Sequence, residues 1–288
     1  MRIMRVLWAL ACRPAHLPAL LALLVLAPAG AASADPPTLA QLVAEKAGAV
    51  ELIHRKAEKN LVTAAQDPVF AAYFEAKSDE ERLTLKGRIE QITLRVQSRF
   101  GVDEMCLIDP RGWEISRIVK GQVAQNLSTT ESNNLFFKPA FATAPRTVFT
   151  TRTYVSPDTS RWVVGYATPI IANGTKQAIL HYEQPLDTFQ TAVTTGIEPA
   201  GRTVMLVDSE GWVIADSRRA IPIEAGQDTF DPASSFGQFA WRGLDLAGLR
   251  KLVGVGDEGA GEVATDGVTV RAAFKRVRDW TVVGIDGG

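Results

Sequence analysis

The chain has 288 residues, of which 46% are hydrophobic and 22% charged, and its formal net charge is −1. This composition is typical of a globular protein with enough residues for two modest hydrophobic cores. The near-neutral charge argues against a nucleic-acid partner, and we expect none.

The first 34 residues have the pattern of a secretory signal peptide. Three arginines precede the apolar run of residues 17–27, and the small-residue site Ala32-Ser33-Ala34 follows it. We expect cleavage near Ala34, which leaves a periplasmic or secreted protein. The alternative is an uncleaved N-terminal anchor that tethers the protein, but the apolar run is shorter than the roughly 20 residues that span a bilayer.

Residues 35–100 are predicted to be helical. Apolar side chains recur at helical spacing between positions 39 and 53. Asp67-Pro68 interrupts the pattern, residues 78–81 offer a capping box for a further helix, and Gly101 ends that helix. We interpret this segment as a scaffold.

After Gly101 the pattern changes to strands, and one stretch occurs twice. The sequence LIDPRGWEI at 107–115 returns as LVDSEGWVI at 206–214. Each copy is an apolar strand, an Asp-x-x-Gly turn and a second strand, so we interpret Asp109 and Asp208 as turn formers. The repeat predicts a duplicated unit, with one antiparallel sheet in residues 101–196, another in 197–288, and helices on one side of each. The predicted fold class is α+β, with a long N-terminal helix before two sheet subdomains in tandem.

The order of these features resembles the double Cache family, the extracellular sensor domains of bacterial chemoreceptors and histidine kinases. The resemblance rests on the signal segment, the helical run, the repeated stretch, NLFFKPA at 134–140, FTTRTYVSPDTSRWVVGYATPI at 149–170 and DWTVV at 279–283. It implies that the two subdomains are PAS-like. It also implies that the membrane-distal one, residues 101–196, binds a ligand and that the membrane-proximal one, residues 197–288, acts as a relay.

The resemblance implies a small organic ligand of the amino acid, carboxylate or amine class. The implied ligand-binding residues are Asn134, Phe136, Phe137, Arg152, Tyr154, Trp162, Tyr182 and Glu183. Family members that bind amino acids carry an arginine where this chain has Asn134, which disfavours an amino acid unless Arg152 or Arg161 supplies the cation. One choice stays open, because Tyr182 and Glu183 cannot both face the ligand from a regular strand.

The sequence lacks a nucleophile elbow, a P-loop and a zinc-hydrolase helix motif. GVGDEG at 254–259 has the letters of a dinucleotide fingerprint, but it follows a helix-like segment and precedes a strand, the reverse of the required context. After signal cleavage only His54 and His181 remain, too few and too isolated for a histidine metal cluster, and Cys106 is interpreted as a small buried hydrophobe. We expect no catalytic residue, no metal and no cofactor.

The sequence therefore predicts a non-enzymatic, exported sensor module that binds a small molecule. Because the sequence contains no transmitter, we expect it to signal through a separate membrane-bound receptor or kinase. The alternative is an exported structural or adaptor protein with a Cache-like fold and no ligand. The identity of the ligand and the oligomeric state do not follow from the sequence.

Overall fold

The computed structural model describes residues 37–197, 201–208, 213–218, 256–265 and 267–287, with a few positions between 248 and 254. The predicted signal peptide and the turn of the second hairpin, at 209–212, lie outside the described residues. So does most of the region between the second hairpin and residue 256, including most of the short helix predicted at 244–252.

Three helices occupy the region predicted to be helical: α1 (Leu39–Ala65), α2 (Pro68–Glu75) and α3 (Asp79–Phe100). The Thr38 hydroxyl and the Gln41 side chain form a capping box at the start of α1. Pro68 begins α2, where its missing N–H costs no hydrogen bond, and Gly101 ends α3 in the left-handed conformation. Among the described residues, no helix combines the length and the apolar character needed to cross a membrane.

The first sheet has six antiparallel strands in the order β3-β2-β1-β6-β5-β4. They are β1 (Glu104–Ile108), β2 (Glu114–Val119), β3 (Gln122–Val123), β4 (Phe149–Val155), β5 (Trp162–Ala172) and β6 (Thr175–Pro185). A 3₁₀ turn (Glu131–Asn133) and helix α4 (Phe137–Ala142) lie between β3 and β4, and α5 (Leu186–Thr194) follows β6.

The second sheet has five antiparallel strands in the order β8-β7-β11-β10-β9. They are β7 (Arg202–Val207), β8 (Val213–Asp216), β9 (Glu258–Thr265), β10 (Val268–Val277) and β11 (Trp280–Asp286). When the short edge strand β3 is left out, the first sheet has the order β2-β1-β6-β5-β4. Numbered along the chain within each sheet, these strands follow the same order as those of the second sheet. The first hairpin shifts register between Leu107 and Ile108, and the second shifts at the equivalent point, between Leu206 and Val207. The α+β fold with two tandem sheets is confirmed, and the shared bulge supports the duplication.

The first sheet is covered on both faces. One face packs against α1, α2 and α3, and α4 lies on the other. The expectation of helices on only one side is therefore wrong for this sheet. The cause lies in β5 and β6, whose side chains are almost all buried, so that both faces need a cover.

Helix α1 contacts both sheets through His54. Its Nδ1 lies 2.8 Å from the hydroxyl oxygen of Tyr166 in the first sheet. The same ring meets Trp280 of the second sheet edge-on, with centroids 4.7 Å apart. A rigid helix that packs against both sheets can transmit a displacement from one to the other.

Candidate functional site

The face of the first sheet beneath α4 carries a buried polar cluster. Its members are Glu104 and Cys106 on β1, Glu114 and Arg117 on β2, Tyr154 on β4, and His181 and Glu183 on β6. The antiparallel register places Glu104 opposite Glu183 and Cys106 opposite His181. Residues paired in this way share a face of the sheet, which brings side chains far apart in sequence together.

The repeated turn positions the cover of this face. Gly112 has a φ of 85°, and a Cβ there would lie 2.4 Å from the backbone nitrogen of Ser132. The Glu131 N–H also donates to the Gly112 carbonyl at 3.0 Å. Glycine thus lets the 3₁₀ turn approach the hairpin closely, and α4 follows directly from that turn.

The structure divides the predicted ligand-binding residues between the two faces. Phe136 and Phe137 lie with Tyr154 in the apolar group under α4, and Glu183 points to the same face. Trp162 and Tyr182 are 2% and 1% exposed in the core on the opposite face. Strand alternation therefore places Glu183, and not Trp162 or Tyr182, on the face that carries the cluster.

Two further predicted residues lie away from the centre of the cluster. Asn134 is half-buried, and its Nδ2 donates to Glu131 Oε2 at 2.5 Å. Arg152 is exposed in the bulged part of β4. Asn134 carries no charge, and the exposed Arg152 is not placed to supply a buried cation. The ligand-binding role of all the residues named from the sequence stays a prediction.

His181 is held by three neighbours. The Phe136 ring stacks on the imidazole with centroids 3.9 Å apart and planes 10° apart. The Tyr154 hydroxyl donates to Glu183 Oε1 at 2.7 Å, and its oxygen lies 3.2 Å from His181 Nε2. When Glu183 is ionised and takes the single hydroxyl hydrogen, Nε2 donates to the tyrosine oxygen. His181 Nδ1 then carries a lone pair, 3.4 Å from Cys106 Sγ.

Gly165 leaves room for this network. A Cβ at this position on β5 would lie 2.8 Å from His181 Nε2 and 2.9 Å from the Tyr154 hydroxyl oxygen. These distances are too short for a non-bonded carbon, so any larger residue would displace the imidazole or the phenol. The glycine is therefore part of the site.

Three buried glutamates face this network with incomplete hydrogen bonding. Glu104, Glu114 and Glu183 are 3%, 7% and 2% exposed. Within the described part of the chain, one oxygen of each lacks a hydrogen-bond partner: Glu104 Oε2, Glu114 Oε1 and Glu183 Oε2. Native proteins rarely leave buried polar atoms unpaired, so these oxygens are candidate ligand contacts.

Burial raises the pKa values of these carboxyl groups. It raises the pKa of Glu183 to about 7, against the opposing effect of hydrogen bonds from Tyr154 and Ser156. It likewise raises the pKa of Glu114 to about 7, although the Ser128 N–H and Arg117 favour the carboxylate. The pKa of Glu104 lies well above its ordinary value, through burial first and then repulsion from Glu183. A positive ligand would stabilise the ionised forms.

Arg117 is a cation within this cluster; both of its Nη atoms are engaged, and its buried Nε lacks a hydrogen-bond partner within the described part of the chain. Its Nη1 lies 2.7 Å from Asp158 Oδ1 and 3.3 Å from Glu114 Oε2. Its Nη2 donates to the Asn126 carbonyl at 2.6 Å. One guanidinium thus faces several carboxylates, and the arrangement is suited to taking up a cation or protons.

Sequence reasoning missed Glu104, Glu114, Arg117 and His181 as site residues, and it interpreted Cys106 only as packing. A signal was present, because polar residues alternate along otherwise apolar strands. Glu104 and Cys106 are two positions apart, as are His181 and Glu183. Two polar groups on one face of a buried strand require partners that apolar packing does not supply.

The sequence matches no protein-family model and no curated protein. The structure is similar to the sensory domain of the Campylobacter jejuni chemoreceptor Tlp3 with isoleucine bound, with a TM-score of 0.66 at 14% identity over 87% of this chain and 91% of that chain. The same domain in complex with L-valine gives the same values. The extracellular domain of mmHK1S-Z2, described as a histidine kinase, has a TM-score of 0.63 at 14% identity over 86% of this chain and 95% of that chain.

This chain has the double Cache fold. The matches cover most of this chain and of each neighbour, so the resemblance inferred from the sequence is confirmed for the fold. At 14% identity the likeness concerns architecture. Isoleucine and L-valine are ligands of the Tlp3 domain.

Proposed function

We propose that this protein is an exported, non-enzymatic sensor module that binds a small organic amine under its first sheet. It acts on a separate membrane-bound receptor or kinase. The observation that carries the proposal is the set of buried carboxylate oxygens beneath α4, each without a partner in the described part of the chain. The fold supports the sensory role, because the structural neighbours are sensory domains of receptors and kinases.

A protonated amine fits the charges of this face. An ammonium group donates three hydrogen bonds, and Glu183 Oε2 and Glu104 Oε2 are acceptors that need donors. Charge-assisted bonds of this kind offset the cost of removing both charges from water. The register places the two glutamates directly opposite each other on β1 and β6, within reach of one ammonium group.

An amino acid fits less well than an amine. Isoleucine and valine, which the Tlp3 domain binds, carry a carboxylate beside the ammonium group. Within the described cluster the cation is Arg117, and Asp158, Glu114 and Asn126 already engage its Nη1 and Nη2 atoms. A ligand carboxylate would meet net negative charge, so we infer an amine without an α-carboxylate.

Ligand entry requires Phe136 to move. Its ring lies flat on His181 and closes the face beneath α4. Displacing Phe136 moves the segment that leads into α4, which gives binding a mechanical consequence. The position of Phe136 also supports the second candidate, an adaptor that keeps this fold without a ligand, because the Phe136 ring occupies the space next to His181 that a ligand would need.

A thermal-shift screen of primary amines, diamines, amino acids and carboxylates at pH 8 tests the proposal. An amine should raise the melting temperature, because ligand at 100 times its dissociation constant stabilises the native state by about 2.7 kcal/mol. Glu183→Gln should remove the shift, while Glu262→Gln, an exposed glutamate of the second sheet, should preserve it. Stabilisation by carboxylates alone would contradict the amine assignment, and a flat screen would favour the adaptor.

Export is tested separately. Mass spectrometry of protein recovered from the periplasmic fraction should find Asp35 at the N-terminus, because the small-residue site ends at Ala34. Recovery of the intact chain in the membrane fraction would instead support the uncleaved anchor.

A further inference from the structure

The geometry points to a binding site for a divalent transition metal of the zinc class, formed by Glu104, Cys106 and Glu114. His181 lies outside this set of mutually close ligand atoms but next to Cys106, and we propose it as the fourth ligand. This inference goes beyond the sensor function: it shares Glu104 with the proposed amine site, but it does not require an amine to bind. The oxygen, sulfur and oxygen atoms of the first three residues all lie within 4.8 Å of one another, and all three side chains are buried. His181 Nδ1 lies 3.4 Å from Cys106 Sγ.

A bulge brings Glu114 into this set. The register pairs Leu107 with Ser116 and then Ile108 with Glu114, so one residue of β2 is left over. In a regular ladder Ile115 would lie opposite Ile108, and Glu114 would point to the other face. The bulge therefore turns a carboxylate inward, beside the thiol on β1.

The ligand atoms are available for coordination. Glu104 Oε2 and Glu114 Oε1 are buried and lack hydrogen-bond partners within the described part of the chain. His181 has its lone pair on Nδ1, because Nε2 donates to the Tyr154 oxygen. Tyr154 in turn donates to Glu183, an arrangement typical of the outer groups that orient a metal-bound histidine.

The second copy of the hairpin shows that the fold does not require these residues. Thr203, Met205 and Val213 stand where the first copy has Glu104, Cys106 and Glu114, and all three are buried. On the neighbouring strand, Val283 lies opposite Met205 just as His181 lies opposite Cys106. The same bulge and strand order thus form without a carboxylate or a thiol at these positions, so the polar set in the first copy needs an explanation other than folding.

The donor set selects the class of metal. Thiolate, imidazole and carboxylate ligands suit Zn²⁺ and its analogue Co²⁺, whereas Mg²⁺ and Ca²⁺ take oxygen ligands. Binding forms a metal–sulfur bond and breaks the S–H bond, and the proton leaves to the buffer without any change of oxidation state. The nearest cation, Arg117, is paired with Asp158, which limits its repulsion of the metal.

Cobalt titration of the reduced full-length chain carrying Cys12→Ala, in which Cys106 is the remaining thiol, tests the site. One equivalent of Co²⁺ should give a thiolate-to-cobalt charge-transfer band and the intense visible bands of a four-coordinate site, and Zn²⁺ should abolish both. Cys106→Ser should remove the charge-transfer band and weaken Zn²⁺ binding by more than about 100-fold, and Glu114→Gln by at least about 10-fold. Glu262→Gln should change neither.

The absence of the charge-transfer band, or its survival in Cys106→Ser, would overturn the metal site. Cys106→Ala is measured alongside, and circular dichroism must show that each variant is folded. The test is separable from the amine proposal. Glu183→Gln should lose the rise in melting temperature with amine and keep the cobalt spectrum. Cys106→Ser should keep the rise in melting temperature with amine and lose the charge-transfer band of cobalt.

Discussion

Replacing Glu183 with glutamine should make the protein more stable at pH 8 and leave its stability nearly unchanged at pH 4.5. Burial raises the pKa of Glu183 from its ordinary value of 4.5 to about 7. Between these values the folded protein binds more protons than the unfolded chain, so the free energy of unfolding falls as the pH rises. Glutamine has nearly the same shape, stays neutral at every pH and still accepts the Tyr154 hydrogen bond.

The raised pKa gives the size of the effect. One pKa unit corresponds to about 1.36 kcal/mol, so the change at Glu183 makes the wild type less stable by about 3 kcal/mol above pH 7 than below pH 4.5. The variant should lack this component. At pH 8 its free energy of unfolding should therefore exceed that of the wild type by up to about 3 kcal/mol.

Urea denaturation at pH 4.5, 6, 7 and 8, without added ligand, measures the difference. Trp162 and Trp280 are buried, so tryptophan fluorescence reports unfolding. Glu262→Gln, an exposed glutamate in the second sheet, is the matched control and should follow the wild type at every pH. A difference between Glu183→Gln and wild type that stays constant from pH 4.5 to 8 would refute the buried, proton-binding carboxyl group.

Three further substitutions test the arrangement beneath α4. Gly165→Ala should destabilise the protein by about 1–3 kcal/mol in urea denaturation, because the added Cβ would lie within 3 Å of His181 and Tyr154. The control, Gly48→Ala on the exposed side of α1, should stabilise the protein slightly. Tyr154→Phe should weaken amine binding about tenfold by calorimetry, while Tyr182→Phe on the opposite face should leave it unchanged. Asp109→Ala should cost about 1–2 kcal/mol of stability, because the Asp109 carboxylate accepts two backbone N–H bonds within the turn. Amine affinity should stay unchanged. A loss of binding without a loss of stability would contradict this role.

The local structure could be predicted from the sequence because short-range chemistry determines it. Pro68 and Gly101 mark helix ends that the structure confirms. Asp109 and Gly112 form the predicted turn, with the Gly112 N–H donating to the Asp109 carbonyl at 3.0 Å. The fold class followed from these elements and from the repeat.

The composition of the site could not be predicted, because long-range pairing determines it. Both faces of β6 are buried, so alternation alone could not say whether Tyr182 or Glu183 lies under α4. The inward direction of Glu114 depends on a bulge that no local pattern in the sequence indicates. Glu104 meets Glu183 only through the pairing of β1 with β6, and six other elements of the first sheet and its cover separate these strands along the chain.

The two copies of the hairpin together separate folding from function. They share strand order, turn sequence and bulge, so those features are what the fold needs. They differ at three inward positions, which are Glu104, Cys106 and Glu114 in the first copy and Thr203, Met205 and Val213 in the second. Within the described part of the chain, the buried carboxylate oxygens without partners all lie in the first sheet, and the cationic ligand proposed above would pair with them. Helix α1, through His54, gives that event a route to the second sheet.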